Sequence, residues 1–315
     1  MTPGAATGRD GGYDTISFLS DYGHADEFVG VVHSVIAAIA PHVRVVDVTH
    51  GVAACDVRSG GLALARAAQY LLPGVVLAVV DPGVGTDRRA VAVEVGDGAS
   101  VLVGPDNGLL APAVALVGGA GRAVELAGGD YRLEAQPELG STFDGRDVFA
   151  PAAAHLCCGM PLSALGPPID PATLMPGMLP LSSREGDDLV AEVLWIDRFG
   201  NCQLNLDPAE LDDLAPAGAP LQVTAGEDLR TAERVRAYAE VSPGRVGLIT
   251  DSSGLVSLAV PRRSAADDLG LHEGAEVRIG AADAGGSDRA PATATRVGLG
   301  RRPAAPAGHD IGGGP

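Results

Sequence analysis

Between positions 15 and 165 two kinds of apolar pattern alternate along the chain. Short stretches at 15–19, 43–48, 75–80, 90–95 and 101–103 are dense in Val, Leu, Ile and Ala and stop at polar or turn residues, as buried strands do. Longer stretches at 28–39, 57–72, 111–117 and 148–158 carry apolar residues at helical spacing, so each predicts a helix with one face on a core. Pro41 closes the first of these, and Gly60-Gly61 falls in the early turns of the second. The run at 75–80 is almost continuously apolar, as a strand covered on both faces must be. Gly96-Asp97-Gly98 marks a turn between two further strands. The alternation predicts an α/β unit: a mostly parallel sheet with helices on both faces.

The pattern changes after Ala164. Prolines at 167, 168, 171, 176 and 180 mark a linker. Beyond it come strand-like pieces at 189–196, 202–206, 221–223, 234–238, 245–250, 256–260 and 276–279, with little helix. Strands of that length and spacing predict a small antiparallel sheet or barrel. The expected organisation is a disordered tail over 1–13, an α/β domain over 14–165, a Pro-rich linker over 166–186 and a β-barrel domain over 187–283. A second disordered tail follows over 284–315, where Gly, Ala, Pro and Arg dominate and too little apolar surface exists to offset the entropy of ordering.

Composition narrows the function more than the fold. Apolar residues make up 46% of the 315 and aromatics only 3%, so the core must be built of Val, Leu, Ala and Ile. The net charge is −18, and all 22 basic residues are arginine. An acidic chain without a basic patch argues against nucleic acid and anionic membranes as partners. No apolar run reaches the ~18 residues of a membrane span, and no basic-then-apolar leader opens the chain, so the expected location is the cytoplasm. Cys55, Cys157, Cys158 and Cys202 match no zinc spacing and are expected to be buried, reduced thiols. His24, His42, His50, His155 and His272 likewise show no metal-ligand spacing, so no metal is expected.

Candidate chemistry lies where predicted strands end, because an open parallel sheet binds ligands at the carboxyl ends of its strands. Asp21 and Asp81 each follow a strand, Asp47 stands at the end of one, and Asp106 lies in a fourth such loop. Each also has an ordinary role as a turn residue, and Asp144 or Asp147 has one as a helix cap. The glycines of Asp81-Pro82-Gly83-Val84-Gly85 lack the spacing of a phosphate-binding loop.

The loops are more informative as an ordered series. Ser20-Asp21-Tyr22-Gly23, Val46-Asp47-Val48-Thr49-His50 and Val80-Asp81-Pro82-Gly83-Val84-Gly85-Thr86-Asp87-Arg88-Arg89 come first. Pro105-Asp106-Asn107-Gly108, Thr142-Phe143-Asp144-Gly145-Arg146-Asp147, Ile196-Asp197-Arg198-Phe199-Gly200-Asn201 and Asp251-Ser252-Ser253-Gly254-Leu255 follow. Together, over roughly 15–280, they resemble the S-adenosylmethionine hydroxide adenosyltransferase family, which is related to the bacterial fluorinases and chlorinases.

The resemblance implies an α/β domain that binds S-adenosylmethionine, a C-terminal β-barrel, and hydrolysis of S-adenosylmethionine to adenosine and methionine by attack of water or hydroxide at the ribose 5′ carbon. It implies no cofactor, and a homotrimer with each site between subunits. By its motifs Asp81 and Arg88 are catalytic, and Asp144 stands where the family usually has the histidine of Thr-Phe-His-Gly-Arg-Asp. Asp21 takes the ribose hydroxyls with Asp26 nearby, and Phe143 walls the ribose. Phe199 and Tyr238 sandwich the adenine, whose edge Asn201 reads. Asp197 and Ser252 hold the methionine end. Two alternatives stay open: a halogenase forming 5′-halo-5′-deoxyadenosine, which Asp81 argues against because the halogenases carry tyrosine there, and a weakly catalytic binding protein for S-adenosylmethionine or adenosine, on account of Asp144.

Overall fold

The structure, a computed structural model, describes residues 11–133 and 140–282. Most of the two expected tails, 1–10 and 283–315, lies outside the described residues. The N-terminal unit is built from β1 (Thr15–Ser20), α1 (Phe28–Ile39), β2 (Arg44–Thr49), α2 (Val57–Ala68), β3 (Val75–Val79), β4 (Ala90–Val95), β5 (Ser100–Pro105), α3 (Ala111–Leu116), β6 (Ala120–Glu125), α4 (Ala150–Cys157) and β7 (Pro168–Ile169). Its seven-stranded sheet runs β2-β1-β3-β5-β4-β6-β7.

Alternation along β3 shows why both faces are covered. Val75, Leu77 and Val79 pack with Val32 and Ile36 of α1 and with the alanines of α4. Val76, Ala78 and Val80 pack on the other side with Leu64 of α2 and Ala113 of α3. Helix α2 approaches closely: a Cβ on Gly60 would stand 2.9 Å from both Leu109 Cδ1 and Val80 Cγ2. Its start is set by Asp56, whose carboxylate accepts from the Ser59 amide at 2.9 Å and the Ser59 hydroxyl at 2.7 Å, an N-cap.

The sheet is mixed. β2, β1, β3 and β5 are parallel, but β4, β6 and β7 join antiparallel. The hairpin at Gly96–Gly98 reverses β4 into β5, and no helix crosses over between them. The first residues of the Pro-rich segment are themselves the edge strand β7.

The second unit holds β8 (Ser183–Glu185), β9 (Asp188–Ile196), β10 (Cys202–Leu204), α5 (Pro208–Leu214), β11 (Leu221–Ala225), β12 (Asp228–Val235), β13 (Val246–Thr250), β14 (Val256–Ala259), α6 (Ala265–Leu269) and β15 (Glu276–Ala281). Pairing of β9 with both β15 and β10 closes seven strands into a barrel. The barrel is antiparallel except at β12–β13, which pair in parallel. Its core is aliphatic, with Val193, Leu204, Leu221, Val223, Leu258, Val277 and Ile279 fully buried.

The thiols divide. Cys157 and Cys202 are buried, and burial pushes each up to about 12, whereas Cys55 and Cys158 are exposed, contrary to expectation. No described helix is long and apolar enough to cross a membrane.

Candidate active site

The connection after β1 leads through α1 to β2 on one side, and α2 then returns the chain to β3 on the other side of β1. The carboxyl ends of β1 and β3 therefore flank the point where strand order reverses, the usual ligand crevice of such sheets. Asp21 follows β1 and Asp81 follows β3. Between them lies a cavity of about 310 Å³ lined by Asp21, Tyr22, Asp26, Phe28, Asp81, Val84, Thr142, Phe143, Asp144 and Gly145. That volume lies at the small end of ligand pockets, ~300–1,000 Å³. A larger hollow of about 830 Å³ opens near the start of β1 and beside β2, among Asp14, His42, Arg44 and Cys158; none of the predicted site residues lines it.

Arg88 organises the cavity's acids. Its Nε donates to Asp81 Oδ1 at 2.9 Å and Oδ2 at 3.0 Å, and its Nη2 donates to both Asp81 and Asp144. All three side chains are largely withdrawn from solvent. Burial works against the Arg88 charge, but the two carboxylates outweigh it and raise its pKa, so the guanidinium remains a fixed cation between two acids. The Phe149 ring lies 5.2 Å from the guanidinium carbon.

Local backbone explains how Asp144 reaches this partner. It begins a π-helical turn, Gly145–Phe149, that runs into α4. Asp144 makes no side-chain cap bond, and Asp147 instead pairs with Arg146 at 2.6 Å; neither takes the capping role considered from sequence. Tyr22 packs edge-on against Phe143, with ring centroids 5.7 Å apart, over the hydrogen side of Gly145. Burial first, then Asp21, Asp81 and Asp144, pushes the Tyr22 phenol far above its ordinary value, so it remains protonated in the cavity that those three acids also line. Sequence reasoning missed Tyr22, although it stands beside Asp21 in the first motif. Asp21 is held by the Cys55 amide, which donates to Oδ2 at 2.8 Å; Cys55 has φ +65° to make that approach.

The other predicted residues form a second group on the barrel. Asp197 Oδ1 accepts from the amides of Phe199 at 2.8 Å and Asn201 at 2.9 Å, and Oδ2 from the Asn201 side chain at 2.7 Å. The turn needs Gly200, with φ +82° and a missing Cβ that would meet Ser264 Oγ at 2.2 Å. Phe199 is 73% exposed and Tyr238 51%. Burial, then Asp197 and Asp251, raise the Tyr238 phenol. Asp251 tightens the next loop, accepting from Ser253 N at 2.8 Å and Ser257 Oγ at 2.8 Å, and leaves Ser252 exposed at its tip. None of these barrel residues lines the cavity around Asp81. The chain thus carries two groups of predicted site residues that do not share that cavity.

An acid–arginine cluster at the switch point of an α/β sheet, joined to a closed barrel bearing exposed aromatics, defines a two-part class of protein. Residues 16–166 match the SAM hydroxide adenosyltransferase N-terminal domain and residues 191–278 its C-terminal domain, and the chain belongs to this family. It is 47% identical over 264 residues to an (R)-S-adenosyl-L-methionine hydrolase of Salinispora tropica, covering 84% of this chain and 97% of that one. It is 44% identical over 269 residues to a protein of the same name from Thermus thermophilus, covering 84% and 98%. A fluorinase of Actinopolyspora mzabensis is 28% identical over 293 residues, covering 84% and 96%. The crystal structure of a conserved protein from Thermotoga maritima superposes with a TM-score of 0.77 at 31% identity, covering 84% and 99%.

Proposed function

We propose that this chain is an S-adenosylmethionine hydrolase that forms adenosine and methionine, and that the cavity around Asp81 holds the ribose. The observation that carries the reading is the Asp81–Arg88–Asp144 cluster at the switch point, in a chain 47% identical to a protein named as such a hydrolase. The water oxygen forms a bond to the 5′ carbon as the carbon–sulfur bond breaks. Sulfur keeps the electron pair and leaves as the neutral thioether of methionine. The proton of the water passes to a carboxylate and on to solvent. The sulfonium is already a good leaving group, so the protein's task is to aim the water and exclude others. Asp81 accepts from that water, and Arg88 holds Asp81 in place. The Cys55 amide holds Asp21 toward the ribose hydroxyls, with Tyr22 in the same cavity wall. The reaction so read calls for no cofactor.

The second group completes the site in this reading from a neighbouring copy, in a cyclic trimer whose barrel offers Phe199 and Tyr238 as stacking faces for adenine. Their exposure supports it, since aromatic faces left in water are typical of binding surfaces. Asp197, Asn201 and Ser252 then face the polar ends of the substrate. We place the enzyme in the cytoplasm, where unpaired cysteines such as these four persist.

Chromatography of S-adenosylmethionine incubated with the purified protein tests the reading. Adenosine and methionine in equal amounts are expected. A 5′-halo nucleoside in the presence of chloride or fluoride, or binding without turnover, overturns it. Asp81→Asn is expected to lower kcat by about 10²–10⁴-fold, the usual worth of a positioned acid–base group, with KM little changed.

A further inference from the structure

We propose that His33, Asp47 and His50 form a binding site for a divalent cation of the zinc class, separate from the cavity around Asp81. His33 comes from α1, Asp47 from β2 and His50 from the turn after β2. Their ligand atoms lie within 4.8 Å of one another. His33 Nε2 stands 2.8 Å and His50 Nε2 3.1 Å from the same oxygen, Asp47 Oδ1. Neighbouring ligands around an ion with bonds of ~2.0–2.2 Å lie roughly 3 Å apart, so these atoms already approach the edges of a coordination shell.

The buried imidazole is the second observation. His50 is 1% exposed. Its Nδ1 meets Ser20 Oγ at 2.8 Å, while Nε2 is buried with no aligned hydrogen bond despite its approach to Asp47. If Nδ1 carries the proton and donates to Ser20, the Nε2 lone pair faces a carboxylate, acceptor against acceptor. If Nε2 carries it, the N–H is poorly aligned with the Asp47 carboxylate 3.1 Å away. A cation seated between the two atoms removes the conflict in the first case. The Ser20 contact then serves as the outer-shell bond that ligating imidazoles typically make through their other nitrogen.

The opposite side of the cluster is open. The side chains of His33 and Asp47 are 35% and 42% exposed, which provides an entry path and room for water as the remaining ligands. Two imidazoles and one carboxylate select borderline ions such as Zn²⁺ over Mg²⁺ or Ca²⁺, which prefer all-oxygen shells. The ion would pin α1 to β2 and to the turn whose His50 carbonyl accepts from the Gly23 amide at 2.8 Å, next to the loop bearing Asp21. Spacing rules could not find this site, because its three residues come from separate elements.

The test is calorimetric titration of the full chain, stripped with chelator, with Zn²⁺ and separately with Mg²⁺. One Zn²⁺ per chain is expected, with no comparable uptake of Mg²⁺. His33→Ala and Asp47→Ala, both at accessible positions, are expected to weaken Zn²⁺ binding at least tenfold, whereas His272→Ala leaves it unchanged. Co²⁺ is expected to give a visible absorption band in the wild type that His33→Ala loses. Melting of the variants without metal verifies that they fold. Absence of saturable Zn²⁺ uptake by the wild type, or equal uptake by His33→Ala and Asp47→Ala, overturns the proposal.

Discussion

Arg88 spans Asp81, seven positions before it, and Asp144, 56 positions after it, because the loop after β3 and the start of the π-helical turn meet at one rim of the sheet. Gly145 makes the rim compact: a Cβ there would stand 2.2 Å from Tyr22 Oη and 3.1 Å from Phe143 Cε2. Gly145→Ala is therefore expected to push Tyr22 and Phe143 apart and to destabilise the protein by about 1–3 kcal/mol, as overpacking does. Urea denaturation checks the stability and kcat checks the site, which should lose activity even where the fold survives. The sequence reading named Asp21, Asp81, Arg88, Phe143 and Asp144 for this rim because their motifs match a family. Tyr22 escaped it, since nothing in a lone tyrosine tells a ring stacked in a core from one lining a cavity with three carboxylates.

At the scale of elements, α1 was legible to its ends, Phe28–Ile39. Apolar spacing ran unbroken there and Pro41 closed it. β6 was not legible: Ala120–Glu125 contains one β-branched residue, Val124, and is a strand because β4 offers it a partner edge. The pattern at 234–238 predicts a strand, but β12 lies earlier, at Asp228–Val235, and Tyr238 lies in a short 3₁₀ turn after it. α4 carries a prediction about pH. Burial lowers the pKa of His155, so the unfolded chain takes up a proton at a higher pH than the folded one. Stability is expected to be unaffected by this group above about pH 6.5, the ordinary histidine value, and to fall as pH drops below it. His155→Gln removes that contribution. Urea midpoints at pH 7.5 and 5.5 should differ less in the variant than in the wild type.

At the scale of the whole molecule, α2 meets the barrel through polar contacts. Arg58 pairs with Glu192 at 2.5 Å, Ser59 donates to Glu273 at 2.9 Å, and Arg66 lies 4.1 Å over the Trp195 ring. The loop of Asp197–Asn201 does not line the Asp81 cavity, and a neighbouring copy would supply it. Two impaired variants provide the check. Asp81→Asn lacks one half of a site and Phe199→Ala the other. After mixing, denaturing and refolding together, some trimers would hold an intact pair and recover activity, whereas each variant refolded alone would not. Light scattering should give the mass of three chains. A site closed within one chain predicts no recovery on mixing.

Sequence alone determined the strand–helix alternation from β1 to α3, the aliphatic core, the α/β and β-rich character of the two parts, and which loops carry acids. Local pattern suffices there, because strand and helix periodicity and turn chemistry depend on near neighbours. Tertiary structure decided the rest. It turned β4, β6 and β7 antiparallel through a hairpin and edge pairing. It brought Asp144 to Arg88 where helix capping was equally open to it, and gathered His33, Asp47 and His50 from three elements. Those outcomes depend on which strand edges meet and which charges share a cavity, and distance in space, unlike spacing in sequence, exists only once the chain has folded.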